Sequence, residues 1–338
     1  MDGVSCSTPL SGQKRGISGS TIKIIAVIAM LIDHVGAVVL ERVLAVNGFW
    51  GAMGSQNAQE INKWMMENGS LYFTYWLLRF IGRLGFPIFC FLLVEGFQKT
   101  RNVKKYALRM GMFALISEVP FNLALTGKLL DQRYQNVYFT LFLGLAALCV
   151  FGFLGRFKGE KRLSRPVGIL LMAGGVLFPG FYLVSLVNSL VVVKSEAVTI
   201  LLYGVFCGGA GGIYYLYGRN KVPGSVQVLC GDMTALIVLM LLADFLRTDY
   251  GGMGVLTIAV MYAFRKGRVR SMLAGCIVLT IMSVSEVTAF LTLIPVALYN
   301  GRRGLKMKYF FYAFYPAHLL LLYLTAVLLG LENVGTFM

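Results

Sequence analysis

The chain has 338 residues, of which 57% are hydrophobic and only 14% charged, with a mean hydropathy of +0.73. A soluble domain carries about 25% charged residues, so this composition excludes a soluble enzyme and indicates a polytopic membrane protein. The net charge of +16 would suggest nucleic acid in a soluble protein; in a membrane protein it has first to be explained by where the cations fall.

Residues 1–21 are polar, rich in Ser and Gly, and carry Lys14 and Arg15. No small-residue cleavage site follows in the right place, so they read as a cytoplasmic tail before an uncleaved first span, with 22–330 as one transmembrane domain. A helical span needs about 20 apolar residues. The apolar runs at 22–46, 72–98, 107–126, 137–155, 167–187, 197–217, 225–246, 250–264, 271–284, 287–299 and 309–330 predict an all-α transmembrane bundle of about 11 spans. The pair 271–284 and 287–299 is short, and reads as two crossings, one helix, or a re-entrant hairpin around Ser283, Ser285 and Glu286. The longest loop, 47–71, holds Trp50, Trp64 and a polar stretch from Gln56 to Asn68, as an interfacial segment does. The Gly-rich stretch from Cys207 to Gly212 lies within a span, so it predicts close helix packing and not a nucleotide loop. Six cysteines without paired spacing indicate neither a disulfide framework nor a metal site.

The cations alternate between loops. With a cytoplasmic N-terminus, the inner loops take Lys99 to Arg109, Arg156 to Arg165, Arg219 and Lys221, Arg265 to Arg270 and Arg302 to Lys308. The outer loops take only Arg42, Lys63, Lys128, Arg133, Lys194 and Arg247. This positive-inside pattern accounts for the net charge without nucleic acid and places the C-terminus outside.

The informative residues are the ionisable ones inside apolar runs. An ionised Asp at the bilayer centre costs roughly 2.5–3.5 kcal/mol on insertion scales, so Asp33 and its neighbour His34 need partners, water or a task. Asp33 has a candidate partner in the second span, where Arg79 and Arg83 share a face and Gly82, Gly85 and Pro87 weaken the helix; an Arg83–Asp33 ion pair that only pins two helices is the plain alternative. Glu95 sits near the inner end of that span. The basic stretch Arg101, Asn102, Lys104 and Lys105 suits a phosphate-rich ligand, or is ordinary inner-face charge. Glu118 precedes Pro120, Asn136 opens the fourth span, Asp249 and Tyr250 precede Gly251, and the last span carries Tyr315, Pro316 and His318. With Asp244 in the seventh run, polar groups fall on spans 1, 2, 3, 7, 8 and 11 and predict a polar cavity inside the bundle.

The segments IKIIAVIAMLIDHVG, LRFIGRLGFPIFCFLLVEGF, TRNVKKYALRMGMFALISEVPFNLAL, NVYFTLFLGL, DYGGMGVL and FYPAHLL resemble the TraX family in order and wording, from about residue 20 to 325 and most weakly in 40–70 and 155–230. The resemblance implies a bacterial cytoplasmic-membrane acetyltransferase that takes acetyl-CoA as donor and, in its type case, acetylates a pilin N-terminus. It marks Asp33, His34, Arg83, Glu95, Arg101, Asn102, Lys105, Glu118, Pro120 and His318. On this reading His34, Asp33, Arg83, Glu118 and His318 are the catalytic candidates. His34 is the general base or the acyl relay, Asp33 or Glu118 orients it, and Arg83 meets developing charge. Arg79, Glu95, Arg101, Asn102, Lys104, Lys105, Asn122, Asn136, Asp249, Tyr250 and Tyr315 are the substrate-binding candidates. The partners are acetyl-CoA, a peptide or glycan acceptor and membrane lipid, with no metal and no nucleic acid. The alternative is a proton-coupled transporter, since intramembrane Asp, Glu and His also mark proton relays; the lack of internal repeats counts against it.

Overall fold

The computed structural model describes residues 16–157, 164–190, 196–219, 222–306, 308–331 and 334. Most of the tail, and Lys14, Arg15, Lys158, Lys161, Arg162, Lys194 and Lys221 of the charge pattern, lie outside the described residues.

The fold is all-helical. The first helix, α1 (Gly19–Val46), contains a π-helical turn at Val35–Leu40, directly after His34. A short α2 (Phe49–Gly54) leads into α3 (Ala58–Gly82), and α4 (Gly85–Lys99) continues the same run after a break at Arg83 and Leu84. There follow α5 (Val103–Thr126), α6 (Val137–Leu154), α7 (Arg165–Leu190), α8 (Glu196–Gly218), α9 (Gly224–Phe245), α10 (Gly251–Ala263), α11 (Arg268–Met282), α12 (Val284–Ala297, 3-10 over its first nine residues) and α13 (Lys308–Leu328). Eight helical runs among the described residues are long and apolar enough to cross a membrane. The remaining arms are short, which is why a count of spans near eleven is approximate.

The 271–299 segment is a hairpin and not one helix. Cys276 lies against the Ala289 carbonyl and the Thr292 hydroxyl, and Arg268 donates to the Tyr299 carbonyl, so α11 and α12 run antiparallel with Ser283 at the bend. Fifteen-residue α11 rises about 22 Å, less than the roughly 30 Å of a hydrocarbon core. The helices α4 and α10 are similarly short, with 15 and 13 residues. Their N-termini and that of α12 are all brought to one level by contacts between Arg83, Tyr250 and Glu286.

The face bearing the basic loops is tied together by backbone hydrogen bonds. Ile17 donates to Leu298, Gly19 to Arg302 and Ser20 to Arg303, at 2.8–3.0 Å. Ser18 caps α1 through Thr21 N–H, so the helix starts inside the expected 1–21 tail. On the opposite face, the expected 47–71 loop is largely helical. Trp64 is buried on α3, donates to the Asn47 carbonyl at 2.6 Å and packs on Phe49, because an indole with its N–H satisfied is better covered than left at an interface.

The Gly-rich stretch of α8 does not mediate close packing in this chain. A Cβ added at Gly204, Gly208, Gly211 or Gly212 would meet nothing within 4 Å, and only Gly209 approaches α7, through Val176. The close contacts between these helices are at Gly168 and Gly180 of α7, where the Tyr217 and Phe206 rings fill the space of a side chain.

Candidate functional site

The polar groups of α1, α3, α10, α12 and α13 meet at one depth. His34 is fifteen residues, or about 22 Å, along α1 from its first residue. Asp33 Oδ2 accepts from Arg79 Nη1 at 2.7 Å, with both side chains about one-fifth exposed. Gly82 makes this approach possible. A Cβ there would stand 2.1 Å from Asp33 Oδ1, so the carboxylate occupies the volume that any other residue would fill.

Arg83 does not pair with Asp33. It lies past the end of α3, in the break, and its Nη1 reaches Glu286 Oε1 at 3.0 Å while the guanidinium also bonds Tyr250. Had the helix continued unbroken, Arg79 and Arg83 would present to the same neighbour; the break sends one to α1 and the other to the α11–α12 bend. Glu286 is 1% exposed on its side chain. Tyr250 stacks flat on Phe86, with centroids 3.6 Å apart, and holds a left-handed backbone at φ 64° that is rare outside glycine. Asp249 accepts from the Tyr134 hydroxyl at 2.6 Å.

Three carboxylates (Asp33, Asp249 and Glu286) therefore face two guanidiniums, all within electrostatic reach of one another. The N-termini of α4, α10 and α12 lie here and contribute the positive ends of their helix dipoles. Asp244 occupies one such end, accepting from Gly252 N–H at 2.6 Å. Asp33 Oδ1 and Glu286 Oε2 remain without a hydrogen-bond partner among the described residues. Buried carboxylate oxygens are costly to leave in that state.

Beside it stand the two histidines. His318 Nδ1 lies 2.8 Å from the Phe314 carbonyl, and His34 Nδ1 lies 2.8 Å from the Met30 carbonyl. A carbonyl only accepts, so both rings carry their proton on Nδ1. His318 Nε2 is 3.1 Å from His34 Nδ1 and accepts a share of that same proton. What remains is the lone pair on His34 Nε2, which has no protein partner among the described residues. The imidazole is oriented by backbone and by a second imidazole; neither Asp33 nor Glu118, the expected orienting carboxylates, bonds it. The π-helical turn that follows is a feature often found at functional sites.

Glu118, Asn122 and Asn136 form a separate buried knot. Glu118 accepts from Asn122 Nδ2 at 3.1 Å and from Asn136 Nδ2 at 2.5 Å, and Asn136 caps α6. Tyr138 and Tyr315 pack edge to face between this knot and the histidines. Arg101, Asn102, Lys104, Lys105 and Glu95 lie far from the histidines, at the basic face: Asn102 caps α5 through Lys105 N–H, and Glu95 pairs with Lys99. The expected site residues thus divide into an inner cluster (Asp33, His34, Arg79, Arg83, Asp249, Tyr250, Tyr315 and His318), the Glu118 knot and the basic face. Glu286 and Tyr134 join the inner cluster without having been picked out as site residues. Glu286 carried a signal, as a carboxylate between two short apolar runs; Tyr134, in a connecting loop, carried none.

The family model described as TraX protein matches residues 18–152 and 214–326, more than half of the chain. Over 162 residues the chain is 31% identical to a probable fimbrial assembly protein FimC, serogroup H1, from Dichelobacter nodosus. That alignment covers 46% of this chain and 52% of the relative, so the chain spans about half the length of the curated relative it matches. No solved structure matches the chain.

Proposed function

The chain belongs to the TraX family, and we propose that it is a multi-pass membrane acetyltransferase, moving an acetyl group from acetyl-CoA at the basic, cytoplasmic face to an amine or hydroxyl acceptor that enters from the other side. The fimbrial relative favours a pilin-like peptide as acceptor. The observation that carries the reading is the pair of Nδ1-protonated histidines, which leaves one unpartnered imidazole nitrogen, His34 Nε2, beside a charge cluster at membrane depth.

For an amine acceptor the balance is simple. The neutral nitrogen attacks the thioester carbonyl, a C–N bond forms and the C–S bond breaks. His34 Nε2 takes the proton from nitrogen and returns it to the leaving thiolate, giving the amide and free CoA. A general base of this kind contributes about 10²–10⁴ in rate. His318 holds the His34 ring in register. Arg79 and Arg83 are neutralised by their carboxylates and so serve mainly to fix the cluster.

Proton-coupled transport would also use the carboxylates, but it gives no role to an imidazole nitrogen that bonds no carboxylate among the described residues. The test is incubation of the purified protein with acetyl-CoA and a short peptide bearing a free N-terminus. A gain of one acetyl group by mass, matched by release of CoA, supports the reading. No acetyl transfer to any amine or hydroxyl acceptor, with proton flux in liposomes, would replace it.

A further inference from the structure

The basic face contains a cleft of about 580 Å³ lined by Glu95, the Arg265–Arg270 loop, Val296, Ala297 and Tyr299. Two of its cations are held in place. Arg265 donates to the Tyr262 carbonyl at 2.8 Å and stacks 3.9 Å over the Tyr262 ring. Arg268 donates to the Tyr299 carbonyl at 2.9 Å and lies 4.8 Å over the Tyr299 ring. Two glycines keep the backbone clear of the guanidiniums. A Cβ at Gly267 would stand 2.7 Å from Arg270 Nε, and one at Gly301, where φ is +82°, would stand 2.5 Å from Arg268 Nη2. The one lining carboxylate, Glu95, is engaged by Lys99 and by Arg268 at 3.9 Å. Arg265, Lys266 and Arg270 make no ion pair among the described residues. Solvated inner-face charge needs none of this; a site for a multiply charged anion needs fixed forks and an uncompensated surplus.

Two rods connect this cleft to the inner cluster. Along α4, Glu95 is twelve residues from Arg83, or about 18 Å. Along α12, Val296 lies ten residues from Glu286, six of them at the steeper 3-10 rise, which is again about 18 Å. A pantetheine arm has thirteen bonds from phosphorus to sulfur, and at about 1.2 Å of extended chain per bond it reaches about 16 Å. Resting on the proposed acetyl transfer, we infer that this cleft, and not the Lys104–Lys105 stretch, binds the phosphates of the donor, with Lys266 and Arg270 as the free cations and the Tyr299 ring beside them, so that the thioester lies at the level of His34.

The test uses the full chain in detergent and CoA as the probe. Lys266→Gln with Arg270→Gln should weaken CoA binding by at least about tenfold and flatten its salt dependence, with unchanged thermal stability. Arg302→Gln with Arg303→Gln, an equal loss of charge on the same face, should leave CoA affinity within about twofold of wild type. Wild-type affinity in the cleft variant, or an equal loss in the Arg302 and Arg303 variant, overturns the inference while leaving acetyl transfer standing. So does a large loss in Lys104→Ala with Lys105→Ala alone. If the wild-type protein binds no CoA, the donor reading falls, and this inference with it.

Discussion

His318 Nε2 lies 3.1 Å from His34 Nδ1, while each ring's own Nδ1 is held by the carbonyl four residues earlier on its helix. Two backbone acceptors on α1 and α13 therefore decide which nitrogen of the pair is basic and open. In the proposed acetyl transfer this arrangement makes His318 a positioning residue and His34 the proton acceptor.

The two histidines should accordingly differ in their mutants. His318→Gln, which can still place an acceptor near His34 Nδ1, should lower turnover by about tenfold, well short of the general-base contribution, and should leave the shape of the pH–rate profile intact. Steady-state kinetics across pH checks this; a His318→Gln loss equal to that of removing His34 would assign the base to His318.

Arg83 is the partner of Glu286, a carboxylate 1% exposed. Arg83→Met should therefore strand a buried charge, costing about 3–5 kcal/mol. The cost should be recovered in Arg83→Met with Glu286→Gln and not in Arg83→Met with Asp33→Asn. Thermal unfolding of the four proteins in one detergent measures it. Rescue by Asp33→Asn would restore the direct Arg83–Asp33 pair.

Gly82→Ala should displace Asp33, whose Oδ1 stands 2.1 Å from the added methyl position. Overpacking of this kind costs about 1–3 kcal/mol, and because it moves the residue next to His34 it should also reduce turnover. Gly51→Ala, where nothing lies within 4 Å, should do neither. Equal behaviour of the two variants in unfolding and turnover assays would show that the Asp33 carboxylate has room to move.

Orientation is open to direct labelling. A cysteine at 58, the first residue of α3, should react with a membrane-impermeant maleimide in intact cells. A cysteine at Val269, half-exposed beside the basic cleft, should react only after permeabilisation. The reverse pattern would invert the donor and acceptor faces.

Much of this was legible in the sequence, because the signals were local. Apolar run lengths gave the helices, and Gly82, Gly85 and Pro87 marked the break in the second span. The rarity of charge at membrane depth singled out Asp33, His34, Arg79, Arg83 and His318. The pairings were not legible. Arg79 and Arg83 lie four apart and look equivalent until the helix ends between them and redirects one. Glu286 acquires its role from a hairpin bend whose depth depends on helix lengths too short for a hydropathy run to specify. The basic cleft escaped notice because positive-inside charge and a phosphate site have the same composition; they differ in aromatic stacking, carbonyl contacts and two glycines that only the fold brings together. Glycine spacing in α8 misled, since small residues permit close packing without requiring a partner.

In the proposed acetyl transfer, His34 Nε2 carries the proton. The measurement is single-turnover acetylation by His34→Gln, a substitution that keeps volume and hydrogen bonding but cannot accept a proton, alongside its CoA affinity. Wild-type CoA binding and stability are expected, with the transfer rate reduced by about 10²–10⁴. A transfer rate within a few-fold of wild type would contradict it.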